Sequence, residues 1–247
     1  MKFIEKVAKE ASRIGGTERV KSVYIGLSYC LAVLENGNAG LAFVFKDELL
    51  AGCNIHLPKR PLAGSRVDEL LTLAGSGSLA NSIALSVANA VFVPHAESDS
   101  HGDFMDHCQI QAGTRVGMVG HFVPLEPLIL ERGAELFIFD LHPEPLSKVM
   151  PSGKIADILP TCDVAILTAT SIINETADEL LAHADQCQSV VMLGPSTPLL
   201  ATCYAGTPIS CASGVLIRKR EAMVQAIVEA GGMRVFSPFI DKVSIVI

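Results

Sequence analysis

The sequence predicts a two-part α/β protein: a smaller α+β unit, then, from about Thr114, a Rossmann-like domain built on a parallel sheet. Three observations predict it. Strand-like runs in residues 20–45 follow one another without intervening helices, whereas beyond residue 114 short apolar runs alternate with helical stretches. Between them, residues 93–113 are crowded with ionisable side chains and poor in apolar ones. Finally, 49% hydrophobic residues in 247, with a mean hydropathy of +0.41, supply a core for one large or two modest domains.

The first unit, residues 1–95, opens with a helix over residues 2–14. Phe3, Ile4, Val7, Ala8 and Ala11 share one face, and Gly15 and Gly16 end it. Residues 20–27, 29–34 and 40–45 read as strands. The Glu35-Asn36-Gly37-Asn38 turn joins the last two into an antiparallel meander. A loop with Pro58 and Pro61 follows, then helices over 67–74 and 79–92, broken by Gly75-Ser76-Gly77. The second of these helices carries Asn81, Ser82, Ser86 and Asn89. Its apolar length to Pro94 falls short of a comfortable bilayer span, which makes it a buried helix.

Residues 96–113 read as a linker, solvated and flexible or, alternatively, metal-binding through His101, His107 and Cys108, with His95 just before it. Over 114–247 strands are expected at 115–119, 136–139, 164–167, 189–193, 209–211, 215–217 and 242–247, with helices at 124–132, 175–184, 197–204 and 220–230. That rhythm implies parallel pairing with right-handed crossovers.

Composition narrows the function classes. Net charge is -7, and the longest basic run is Arg218-Lys219-Arg220, so nucleic acid is a poor partner. Seven scattered cysteines form no C-x-x-C pair and fit reduced thiols in a cytoplasm. The start of the chain lacks the pattern of a secretory signal, and no membrane partner is expected. The hydrophobic surplus fits a homodimer.

Candidate chemistry sits at the carboxyl ends of the strands, where ligands gather in open α/β sheets. Gly117 and Gly120 frame a glycine turn ending in His121, whose N–H groups are placed to meet an anion or to serve strand–helix packing. Asp140 ends the next strand, where dinucleotide folds keep an acid for a ribose, and His142 stands two residues on as an acid–base or metal-ligand partner. Thr168, Thr170 and Asn174 follow the third strand in a polar cluster larger than a helix cap needs. Gly194, Pro195 and Ser196 follow the fourth. Asn81 and Asn89 on the apolar helix require partners, either a ligand in a cleft or neighbouring loops. No G-x-S-x-G, Walker A or H-E-x-x-H sequence is present.

Taken in order, GSGSLANSIALSVANAV, RVGMVGHFVPLEPL, ILTATSIINETADELL, VMLGPSTPLL and GTPISCASGVLI resemble the "putative heavy-metal chelation" family across nearly the whole chain. The resemblance implies an enolase N-terminal-like domain before the Rossmann-like one, with the site in the cleft between them. It implies site positions at Asn81, Asn89, Gly117, Gly120, Thr168, Thr170, Asn174, Gly194, Pro195 and Ser196, and a heavy-metal ion or metal-binding cofactor as the species handled. Ala201 departs from it, since a proline is expected there. Three functions stay open: binding of a small anionic or metal-chelate ligand in the cleft, with or without catalysis; an enzyme using NAD or S-adenosylmethionine; and a metal-trafficking module centred on residues 96–113.

Overall fold

The computed structural model describes residues 1–48, 61–98, 103–141 and 148–247. Helix α1 (Phe3–Gly15) buries Phe3, Ile4, Val7, Ala8 and Ala11, the face its periodicity predicts. It is followed by β1 (Val20–Ile25), β2 (Tyr29–Leu34) and β3 (Ala39–Phe43), an antiparallel meander in the order β1-β2-β3. At the predicted turn Gly37 takes φ of 92°, which a side chain resists, while the Asn38 N–H donates to Asn36 Oδ1.

Helix α2 (Val67–Leu71) is short, and α3 (Ser78–Ser98) runs six residues beyond its expected end, through Pro94. At that length α3 is long and apolar enough to cross a membrane, contrary to the span read from sequence. However, 72% of its apolar window is buried inside the protein. Its side chains join one hydrophobic core with α1, the meander and residues of the second part of the chain such as Leu167, Leu180 and Met192. The two parts of the chain therefore share a core.

The second sheet has seven strands in the order β10-β9-β8-β7-β4-β5-β6. They are β4 (Arg115–Val119), β5 (Glu135–Asp140), β6 (Val149–Pro151), β7 (Val164–Thr168), β8 (Ser189–Leu193), β9 (Cys211–Ile217) and β10 (Ile240–Val246). All pairs are parallel except β9 with β10, which is antiparallel. Chain order reverses between β4 and β7, so the loops after these two strands diverge and open a crevice at their carboxyl ends. Helices α5 (Leu125–Glu131), α8 (Ala177–His183) and α9 (Arg220–Val228) supply connections between strands.

The structure corrects several expectations. Where two strands at 209–211 and 215–217 were expected, the single strand β9 runs unbroken from Cys211 to Ile217; Gly214 lies inside it, where a Cβ would meet Leu199 and Thr197 at 3.2 Å. The helix expected at 197–204 is reduced to a 3-10 turn at Ala201–Tyr204, begun by the residue where a proline was expected. The strand β6 and the one-turn helices α4 (Phe104–His107), α6 (Ile155–Ile158), α7 (Thr170–Ile173) and α10 (Met233–Phe236) have no counterpart in the sequence reading. Nor are residues 103–110 a solvated linker: Phe104, Met105, Cys108 and Ile110 are buried against Val116 and Met118 of β4.

Candidate functional site

A cavity of about 810 Å³ lies where the carboxyl ends of β4, β5, β7 and β8 face the meander. Nine of the residues singled out in the sequence line it: Gly120, His121, Asp140, Thr168, Thr170, Asn174, Gly194, Pro195 and Ser196. The meander side adds Tyr29, Phe43, Phe45, Lys46, Asp47 and Glu48, none of which the strand-end argument reached. Glu179 and His183 of α8 also line it, with His183 Nε2 3.7 Å from Glu179 Oε1.

The glycine turn is shaped by packing. Gly120 has φ of 90°, and a Cβ there would lie 2.9 Å from Thr168 Cβ. The Gly120 N–H donates to Phe139 O at 2.8 Å, the His121 N–H to Asp140 Oδ2 at 3.3 Å and the Phe122 N–H to Gly120 O at 3.1 Å. The turn therefore presents no free N–H cradle, contrary to one of its two readings. Gly117 lies in the interior of β4, outside the cavity, where a Cβ would come within 2.5 Å of Leu159 Cδ1. Strand–helix packing accounts for that glycine.

After β7 the hydroxyls of Thr168 and Thr170 share a hydrogen bond at 3.0 Å, and Ser171 Oγ donates to Thr168 O at 2.7 Å. Asn174 Oδ1 accepts from Thr176 Oγ1 at 2.8 Å. The next residue, Glu175, is held at φ of 63° although it is not glycine. Its carboxylate pairs with Lys2 and accepts from Asn81 Nδ2 at 3.2 Å; the Lys2 hydrogen bond chiefly holds its pKa below the ordinary value. Helices α1 and α3 thus clamp the end of a cavity-lining loop.

Asn81 and Asn89 do not reach the cavity. Asn81 Nδ2 donates to Ile173 O at 2.8 Å and its Oδ1 accepts from the Gly75 N–H at 2.7 Å. Asn89 Nδ2 donates to Leu41 O at 2.9 Å and Ser196 O at 3.1 Å. The amide groups of both residues meet main-chain atoms of neighbouring strands, helices and loops, while Asn89 Oδ1 is buried without a hydrogen-bond partner among the described residues. Buried amides on an apolar helix signal that partners exist without saying which.

The two described metal candidates, His107 and Cys108, do not share a site. His101 and His142 lie outside the described residues. His107 is exposed at the end of α4 while Cys108 is buried in the core. Among the described residues no three His, Cys, Asp or Glu side chains are grouped to hold an ion. Burial pushes the thiols of Cys30, Cys108 and Cys162 up to about 12, and those of Cys187 and Cys211 to about 11. Thiolate, the form that ligates metal, is disfavoured at each.

Family models match residues 103–246 (DUF364) and 7–92 (DUF4213), both described as "putative heavy-metal chelation". The chain belongs to that family. Solved members with similar folds include a protein of unknown function from Desulfitobacterium hafniense DCB-2, with TM-score 0.83, 23% identity and coverage of 99% of this chain and 98% of that one. Another, from Pyrococcus horikoshii, has TM-score 0.85, 19% identity and coverage of 99% and 100%. A search of curated proteins gives no match. The family's two matched segments meet at the cavity, which takes Phe43 from one and Gly120, Thr168 and Gly194 from the other.

Proposed function

We propose that the protein binds a small molecule carrying a chelated metal ion in the cavity between the meander and the carboxyl ends of β4, β5, β7 and β8. The observation that carries this reading is convergence: loops after four neighbouring strands of the sheet and one edge of the meander line a single space of about 810 Å³. Sites for small molecules commonly span about 300–1,000 Å³.

Charge supports a metal chelate over a free anion. The described lining residues include the carboxylates of Asp47, Glu48, Asp140 and Glu179 against the single lysine Lys46, so the potential inside favours a positively charged guest. With no group of three protein donors among the described residues, an ion held here needs most of its coordination from a chelator. The hydroxyls of Thr168 and Thr170 and the amide of Asn174 would orient that chelator by hydrogen bonds.

Native mass spectrometry and elemental analysis of protein purified without added metal test this. The expected result is a bound organic mass together with a metal, both lost in Thr170→Trp, which sets a bulky ring among the lining hydroxyls. A bare ion without organic mass, or retention of both species in the variant, contradicts the reading.

A further inference from the structure

The chain is poor in aromatic residues, with ten Phe, three Tyr and no Trp. Five of those thirteen rings nevertheless line one cavity: Tyr29, Phe43 and Phe45 on the meander side, Phe122 and Phe139 on the sheet side. All but Phe139 are only partly buried.

On the meander side the rings are ordered. Phe236, fully buried, meets Tyr29 with centroids 5.0 Å apart at 89°. Tyr29 meets Phe43 at 5.5 Å and 87°, and Phe43 meets Phe45 at 5.1 Å and 84°. This edge-to-face series runs from the core to the cavity and fixes the lining rings before any ligand arrives. Partly exposed rings at fixed angles are costly to leave in water and suited to covering a flat apolar surface.

We infer that the cavity's ligand is a planar aromatic or heteroaromatic chelator, its ring lying against Tyr29, Phe43 and Phe45 and its metal and polar edge turned to the hydroxyl and carboxylate side. This rests on the reading that the cavity takes a metal chelate, and it adds the shape and chemistry of the organic part. A flat cationic complex gains twice here, from dispersion and burial against the rings and from attraction of positive charge to ring faces and carboxylates.

The test is isothermal titration of the full chain with two zinc complexes of equal charge: 1:1 zinc–1,10-phenanthroline, which is planar and aromatic, and 1:1 zinc–diethylenetriamine, which has no ring. The phenanthroline complex is expected to bind at least about tenfold more tightly, equivalent to about 1.4 kcal/mol. Phe45→Leu should erase most of that preference and Phe45→Trp should restore it, which separates loss of the ring from loss of the fold. Equal binding of both complexes, unaffected by Phe45→Leu, overturns the planar ligand and leaves the metal-chelate reading intact. Binding of neither complex overturns both, as does tighter binding of zinc chloride alone.

Discussion

Ser196 Oγ accepts a hydrogen bond from the main-chain N–H of Phe43 at 2.8 Å, tying the last strand of the meander to the loop after β8 across the edge of the cavity. Asn89 holds the same loop through Ser196 O. In Ser196→Ala the Phe43 N–H loses its acceptor in a partly buried position, at a cost of about 1–3 kcal/mol. The urea midpoint should fall accordingly, with the slope of the transition unchanged. An unchanged midpoint would show that this bond does not hold the two segments together.

The clamp on Glu175 gives a graded series. Asn81 is fully buried, and Asn81→Leu leaves Ile173 O and the Gly75 N–H without partners, so a loss of about 2–4 kcal/mol is expected. Lys2→Met removes an exposed ion pair and should change stability far less. Equal effects in equilibrium unfolding would contradict the structure.

Glu175 also carries acid sensitivity. Its pKa is lowered in the fold, first by the Lys2 hydrogen bond, so its contribution is fully present above the unfolded carboxylate value and is lost as pH falls through the lower folded one. Glu175→Gln should flatten the stability profile in that acidic window and leave its slope near neutrality alone. A slope lost instead between pH 6 and 8 would point to other groups.

Thr197 is 2% exposed and its hydroxyl finds no partner among the described residues. Thr197→Val keeps the shape and removes the orphaned group, so stability should be unchanged or rise by up to about 1 kcal/mol. A clear fall in Tm would mean that the hydroxyl is satisfied in solution.

Raised thiol pKa values predict slow chemistry. In a Cys53→Ser, Cys187→Ser variant, which leaves the five buried cysteines among the described residues, none should react quickly with Ellman's reagent at pH 8 until denaturant is added. One fast thiol in the native protein would disprove burial at that position.

The parallel sheet was legible because β4, β5, β7 and β8 are short apolar runs that end at or just before Gly120, Asp140, Thr168 and Gly194, and those endings marked the loops that converge on the cavity. Other features were hidden for physical reasons. β6 has three residues and includes a proline, too little for a pattern. The small residues 212–214 interrupted the apolar pattern of β9, and the sequence does not reveal that Leu199 packs over Gly214. Asn81 and Asn89 announced a need for partners but not their identity. Tyr29, Phe43 and Phe45 passed as ordinary strand residues. The scarcity of aromatics was the available signal that a cluster of them serves one place, yet only the fold brings those rings beside Phe122.

Diffraction at the zinc edge from crystals soaked with 1:1 zinc–1,10-phenanthroline would locate ring and metal together. One strong anomalous peak is expected inside the cavity, with the ring system against Phe45 and the metal on the side of Thr170 and Asn174. A peak only on the protein surface, or an ordered cavity without zinc in soaked crystals, would contradict that placement.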